Sequence, residues 1–295
     1  MVACVPAFNE ENTIGGVVVR AIKLVDRVVV CDDGSVDLTG DIAYGLGADV
    51  IRHEKNRGYG AALKSTFEKA LSLGADVVVT LDGDGQHDPR EITRLVEPFG
   101  KVDLDIVIGS RFLEGGGSNV PIWREAGIRF ITGLTLNGKQ EVTDAQSGFR
   151  AYSRRALKTL VLTEDGMGIS TEILVKASEN GLKVAEVPVN IKYDENSSTH
   201  NPIMHGLIVI LSTVKYLSMK RPILFYGVPG FIGLLVASFF WIWTLQIYSV
   251  YGRIVTNLAL IALSATVVSL MLLNTAIILW IFINILKEKV ITNRY

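Results

Sequence analysis

The chain has 295 residues, 49% hydrophobic and 20% charged, and its 29 basic and 30 acidic side chains leave a net charge of −1. That balance argues against a nucleic-acid binder, which gains affinity by releasing counterions through clustered positive charge, and the apolar content excludes disorder. Pro222–Leu286 is a run of 65 residues whose only charged member is Arg253, while the other 230 residues carry 58 of the 59 charges, about the 25% of an ordinary soluble domain.

Met1 leads directly into Val2-Ala3-Cys4-Val5 without a secretory signal, so the soluble part is expected to stay in the cytoplasm. Strand-like runs follow at Val28–Cys31, Val50–Arg52, Val77–Leu81 and Leu104–Ile108. Between the first two runs, Ile14, Val17, Val18, Ala21, Ile22 and Val25 recur at the spacing of one helix face. Ala61–Leu73 is a second helix, stopped by Gly74. Alternating strands and helices predict an α/β fold with a mostly parallel sheet covered on both faces. Cys4 and Cys31 sit in strand-like runs without the spacing of a disulfide framework or a zinc site, and read as reduced core residues.

Past residue 111 the pattern breaks. Gly115-Gly116-Gly117 is a turn, and residues 121–137 form an amphipathic stretch with Arg124 and Arg129. It reads either as a helix packed on the sheet or as one lying in a lipid headgroup layer. Residues 200–221 are amphipathic again, apolar at Ile203, Leu207, Ile210, Leu211, Val214 and Leu217 and then basic at Lys215, Lys220 and Arg221, and here the interfacial reading is favoured. These boundaries divide the chain into a catalytic-type domain over 1–199, an interfacial helix over 200–221 and a membrane anchor over 222–295.

The anchor reads as two spanning helices, near Ile223–Ile247 and Ile254–Leu286, which at 1.5 Å per residue reach roughly 37 and roughly 50 Å against about 30 Å of hydrocarbon. Lys215, Lys220 and Arg221 precede the pair and Lys287, Lys289 and Arg294 follow it, so both ends are expected in the cytoplasm and the hairpin tip outside. Gly233 and Ala237 have the small-xxx-small spacing of helices that associate, a hint of a homo-oligomer.

Ligands of open α/β sheets sit outside the carboxyl ends of the strands. After the first strand come Pro6-Ala7-Phe8-Asn9-Glu10, after the second Asp32-Asp33-Gly34-Ser35, and after Val77–Leu81 Asp82-Gly83-Asp84-Gly85-Gln86. Acidic groups thus converge on one edge. Neither a glycine-rich dinucleotide turn nor a Gly-x-x-x-x-Gly-Lys-Ser/Thr loop is present, so a pyrophosphate lacks an amide cradle and needs another positive charge. A divalent cation supplies one, and Asp82, Asp84 and Gln86 offer hard oxygen ligands at alternate positions.

These loops, with Gly109-Ser110-Arg111 and Gln146-Ser147-Gly148-Phe149-Arg150, resemble family 2 of the inverting glycosyltransferases, on the GT-A fold, and within it the polyprenyl-phosphate sugar transferases of the dolichyl-phosphate mannose and glucose synthase type. The resemblance covers about residues 2–220, and a two-helix anchor fits the membrane-bound members. It implies that Pro6, Phe8, Glu10 and Asp33, with Cys31 beside them, hold the base and ribose of a nucleotide sugar. It implies that Asp82, Gly83 and Asp84 meet the diphosphate, with Asp82, Asp84 and Gln86 binding Mg²⁺ or Mn²⁺. Arg111 would lie near the phosphates or the acceptor, which makes Asp82, Asp84 and Arg111 the expected catalytic set. Ser147, Gly148 and Arg150 would shape the acceptor side, where Arg124 and Arg129 meet a lipid phosphate. Asn56–Gly60 resembles the family's glycine-rich segment, against the plain reading of a helix N-terminal turn. Where dolichyl-phosphate mannose-type members carry Gly-Glu-Ser-Lys, this chain has Asn196-Ser197-Ser198-Thr199-His200, so charge near the phosphates would come from His200 or Lys192.

The resemblance implies transfer of one hexose from GDP-mannose or UDP-glucose to polyprenyl or dolichyl phosphate at the cytoplasmic membrane face, by metal-assisted displacement with inversion. A phosphate acceptor is already anionic at pH 7, whereas an alcohol acceptor needs a base, for which Asp144 and Glu172 are candidates. Two other readings stand beside this one: a family 2 transferase acting on another lipid or a polysaccharide, and a membrane protein that binds nucleotide sugars without catalysis.

Overall fold

Val-rich runs alternating with helix-period segments build the first of two units into which the chain divides, Met1–Thr213 and Val214–Tyr295. The computed structural model describes residues 1–113, 142–190, 218 and 221–292. Within the first unit the described strands are β1 (Val2–Ala7), β2 (Arg27–Asp32), β3 (Asp49–Arg52), β4 (Val77–Thr80), β5 (Ile106–Ser110), β6 (Arg150–Ser153) and β7 (Val184–Pro188). They form one sheet in the order β3-β2-β1-β4-β6-β5-β7. Strands β1 to β4 pair in parallel, as do β5 and β7, while β6 runs antiparallel between β4 and β5. The expected mostly parallel α/β sheet is therefore present, with one reversed strand.

Side-chain alternation explains why both faces are dry. Cys4, Val29, Val78, Ile106, Ile108 and Tyr152 point to one face, where α3 (Tyr59–Ser72), α5 (Arg154–Thr159) and α6 (Ile169–Glu179) cover them. Ala3, Val5, Val28, Val30, Val79, Leu81, Val107 and Ala151 point to the other, under α1 (Ile14–Ala21), α2 (Thr39–Gly45) and α4 (Ile92–Val96). Both cysteines are free and buried, as expected of core residues, and burial pushes each thiol up to about 12.

The second unit holds a π-helical turn, Ile223–Gly227, then α7 (Val228–Tyr251) and α8 (Thr256–Thr292). Two stretches, Ile223–Tyr251 and Thr256–Ile283, are long and apolar enough to cross a membrane. At 1.5 Å per residue each spans about 42 Å, more than the ~30 Å of a hydrocarbon core. Gly252, at φ +62°, closes α7 in the left-handed conformation that glycine adopts without strain. The small residues of α7 face α8 of the same chain: a Cβ on Gly230 would lie 3.0 Å from Leu273 Cγ, and one on Gly233 would collide with the Ser269 hydroxyl. Trp241 Nε1–H donates to Thr266 Oγ1 at 3.1 Å across the pair. The stripe containing Gly233 and Ala237 thus has a partner within its own hairpin.

Candidate active site

The carboxyl ends of β1, β2 and β4 carry loops that are tied to one another. Asn9 takes φ +56°, which Asn tolerates better than most residues. Its N–H donates to Ser35 Oγ at 2.9 Å, its Oδ1 accepts from Val36 N–H at 3.0 Å, and Glu10 N–H donates to Thr39 Oγ1 at 2.7 Å. The Thr13 hydroxyl joins the third loop, 2.8 Å from the Gly83 carbonyl and 2.9 Å from Glu10 Oε2. Gly83 packs tightly there, since a Cβ would lie 3.1 Å from Ala7 Cβ and 3.3 Å from Pro6 O. Pro6 is buried in register with Cys31, and the Phe8 ring is exposed at the rim.

Glu10 reports the charge at this edge. Its carboxyl is raised to about 7, first by burial and then by the Asp84, Asp82 and Asp37 charges, against the opposing bond from Thr13. Asp84 Oδ1 accepts Gln86 N–H at 3.0 Å, which turns the loop back on itself. Asp82 Oδ1 accepts from the Tyr59 hydroxyl at 3.1 Å, and its Oδ2 lies 3.6 Å from His87 Nδ1. His87 is buried, stacked on Phe149 with ring centroids 5.2 Å apart, and burial pushes it down to about 4, so it is neutral at pH 7.

Asp33 faces inward. Its carboxylate accepts His53 Nδ1–H at 2.5 Å and the N–H groups of Arg57 at 3.0 Å and Gly58 at 2.7 Å. His53 Nε2 in turn lies 2.9 Å from Ser65 Oγ and 3.6 Å from Cys31 Sγ. The side chain expected at a base or ribose therefore anchors the Asn56–Gly60 segment. That segment is a helix N-terminal turn whose glycines are set by close approach: a Cβ on Gly58 or on Gly60 would lie 2.5 Å from a carbonyl oxygen of the 164–165 loop.

The reversed strand brings the second half of the site to the same edge, since its start rather than its end lies there. Gly148 meets Asp82 so closely that a Cβ would lie 2.8 and 2.9 Å from the two carboxylate oxygens and 2.9 Å from the Tyr59 hydroxyl. Ser147 is buried, its Oγ accepting Phe149 N–H at 3.3 Å. Arg150 turns into the core, its guanidinium donating to Ser147 O at 2.8 Å, Ser170 O at 3.1 Å and Ala145 O at 2.7 Å. Arg111 is forked on buried Asp144, with Nε to Oδ2 at 2.6 Å and Nη2 to Oδ1 at 2.8 Å. Glu186 on β7 holds that turn by accepting Thr143 N–H at 2.8 Å and Asp144 N–H at 2.9 Å.

Of the candidate bases, Asp144 is engaged by Arg111. Glu172 is fully buried against Thr163, the Glu164 amide and Lys176, whose bonds hold its carboxyl low against burial. Arg124, Arg129, Lys192 and His200, with the amphipathic stretches 121–137 and most of 200–221, lie outside the described residues. His53, Tyr59, His87 and Glu186 were not anticipated. His87 abuts Gln86 and Tyr59 sits inside the Asn56–Gly60 segment, so proximity to a motif was the available signal.

A doubly covered, mostly parallel sheet with acidic loops at its carboxyl edge is the GT-A architecture of glycosyltransferases. The profile described as "Glycosyl transferase family 2" matches residues 2–161, and the chain belongs to that family. It is 36% identical over 217 residues to the UDP-N-acetylglucosamine–dolichyl-phosphate N-acetylglucosaminyltransferase of Methanococcus voltae, covering 65% of this chain and 86% of that protein. It is 31% identical over 204 residues to the polyprenol monophosphomannose synthase of Mycolicibacterium smegmatis, covering 63% and 74%. Glucosyl-3-phosphoglycerate synthase from Mycobacterium tuberculosis, solved with Mn²⁺, UDP and phosphoglyceric acid, superposes with a TM-score of 0.57 at 25% identity, covering 73% of this chain and 78% of that one.

Proposed function

We propose that this glycosyltransferase moves one sugar from a nucleoside diphosphate sugar, GDP-mannose or UDP-glucose, to polyprenyl or dolichyl phosphate at the cytoplasmic face of a membrane. The observation that carries the reading is the convergence of Asp82, Asp84 and Glu10 at one sheet edge, in a chain whose relatives are named for transfer to dolichyl or polyprenyl phosphate.

The donor set fits a divalent cation, Mg²⁺ or Mn²⁺. Asp82 and Asp84 present hard carboxylate oxygens, and their charges add to the burial that raises Glu10 beside them. Among the described residues no three His, Cys, Asp or Glu side chains converge tightly enough to hold an ion alone. Two carboxylates shared with substrate phosphates is the usual arrangement for Mg²⁺, and Mn²⁺ accompanies UDP in the mycobacterial structure. When bound, such a cation neutralises the charge that develops on the departing nucleoside diphosphate.

The protein's own groups do the rest. The exposed Phe8 ring offers a face to a nucleobase, and Gly148 lets backbone approach the Asp82 carboxylate closely. An acceptor phosphate oxygen attacks the anomeric carbon in line and inverts it. That oxygen carries its negative charge at pH 7 and gives up no proton, which agrees with the engagement of Asp144 and Glu172 by other partners. Arg221 before the hairpin and Lys287, Lys289 and Arg294 after it support a topology with both ends in the cytoplasm.

The test uses membranes containing the full chain, dolichyl phosphate and labelled UDP-glucose, GDP-mannose and UDP-N-acetylglucosamine in parallel. One donor is expected to give label extractable into organic solvent, in a reaction abolished by chelation. Label that stays in a water-soluble polymer, or no turnover with any donor, overturns the acceptor.

A further inference from the structure

We propose that Tyr59 is a positioning residue for Asp82: its hydroxyl orients the carboxylate that holds the cation and the donor diphosphate. This rests on the metal role given to Asp82 above. The phenol has two separable parts. Its ring packs against the core cluster that includes Leu63, Phe67 and Ile108, work that a phenylalanine ring does equally well. Its hydroxyl reaches out of that cluster to Asp82 Oδ1 at 3.1 Å.

Asp82 is held on three sides. Tyr59 takes one oxygen, His87 flanks the other at 3.6 Å, and Gly148 leaves no space for even a methyl group between its backbone and both oxygens. The Tyr59 hydroxyl and the Gly148 backbone thus restrict a carboxylate that is about one-third exposed. Carboxylates that ligate metals are characteristically oriented by such hydrogen bonds, and losing the partner typically costs 10–100-fold in metal affinity.

The placement of Tyr59 is itself built. Asp33, paired with buried His53, accepts the amides of Arg57 and Gly58, and Gly58 at φ +103° starts the helix whose first residue is Tyr59. A chain of contacts thus runs from the loop after β2, through Asp33 and Tyr59, to the carboxylate after β4. The inward-facing Asp33 then acts on the site through the loop it anchors.

The experiment measures Mn²⁺ binding to the detergent-solubilised full chain by electron paramagnetic resonance, with thermal unfolding recorded on the same preparations. Tyr59→Phe is expected to weaken Mn²⁺ binding about 10–100-fold per folded molecule. Transfer activity should recover as Mn²⁺ is raised toward saturation. In an Asp82→Asn background, adding Tyr59→Phe should cause no further loss. Affinity per folded molecule equal to the parent's, including a case where binding falls only in proportion to unfolded protein, overturns the proposal. Asp82→Ala separates the two levels: if it leaves Mn²⁺ binding intact, the metal reading itself fails, whereas loss in Asp82→Ala with none in Tyr59→Phe removes only the role of Tyr59.

Discussion

In the sheet unit the largest fully buried side chains include Arg150, Tyr152, Phe149 and Ile14, and charged Asp144 and Glu172 are buried with them; in the hairpin the buried positions are small, among them Gly230, Ala237, Thr244, Ala262, Ser269 and Ala276. The hairpin's large residues, such as Phe231, Leu235, Phe239, Leu263 and Ile277, are exposed. Water drives bulky apolar groups inward in the first unit, and the space they leave must satisfy every polar group it encloses. Lipid exerts no such pull between helices, so close backbone approach decides the contact and small residues occupy it. The same amino-acid alphabet is used in opposite sense in the two units, the sense that a membrane-spanning hairpin requires of the second.

The contrast can be broken most severely at the acidic edge. Asp84→Ala is expected to remove transfer entirely, a loss well beyond the ~100-fold typical of an outer partner of a metal site. Carbonate extraction and thermal unfolding should show membrane retention and fold unchanged; residual activity near the parent's would refute the assignment. A second disruption targets the enclosed charge. Arg150→Met removes the guanidinium donor from the Ala145 and Ser147 carbonyls, at ~1–3 kcal/mol each, and the added bond to the Ser170 carbonyl of helix α6. Denaturant unfolding should then show the sheet unit weakened by about 3 kcal/mol or more.

Gly233→Leu applies the test to the other unit. Its side chain must displace Ser269, so the hairpin should lose about 1–3 kcal/mol of packing, read as faster proteolysis or loss of an engineered α7–α8 disulfide crosslink. Unfolding of the sheet unit should not shift. The last effect is electrostatic. Glu10 has a folded-state value near 7 against 4.5 when unfolded, so the folded state holds the proton more tightly. Its contribution to stability is present below pH 4.5 and is lost as pH rises through 7. A pH series of metal-free unfolding should show that decline in the parent, and Glu10→Gln should flatten it.

The parallel half of the sheet was legible because its strands hold short Val/Ile runs and the helices α1 and α3 between them carry a one-face apolar period. The strand ends extended past the apolar runs, as when Pro6 and Ala7 pair with Cys31 and Asp32, because backbone pairing continues where side-chain hydrophobicity stops. Strands β6 and β7 were not anticipated. Arg-Ala-Tyr-Ser is four residues opening on a charge, and Val-Ala-Glu-Val-Pro carries a glutamate whose carboxylate serves the 143–144 turn. Helix α2 escaped as well, with glycines at Gly40 and Gly45 and little apolar period. At the site, sequence located the acidic loops but not the direction of each side chain. Asp33 and Arg150 were placed against ligands by resemblance, and the fold turns both toward backbone partners. Their burial depends on residues far away in the chain, His53 for one and Ser170 for the other, which local pattern does not encode.

The reversed strand also sets an order of assembly. All three acidic loops are synthesised by residue 86, yet β4 and β5 are not neighbours in the sheet and stay apart until β6 enters between them. A nascent chain ending near Ser110 would expose unpaired edges on both strands, a template for wrong pairing. Asp82 acquires its Gly148 wall only when chain more than sixty residues further on has folded back. Contacts of such sequence separation form slowly. The catalytic edge therefore closes only after β6 has been made and has paired with β4.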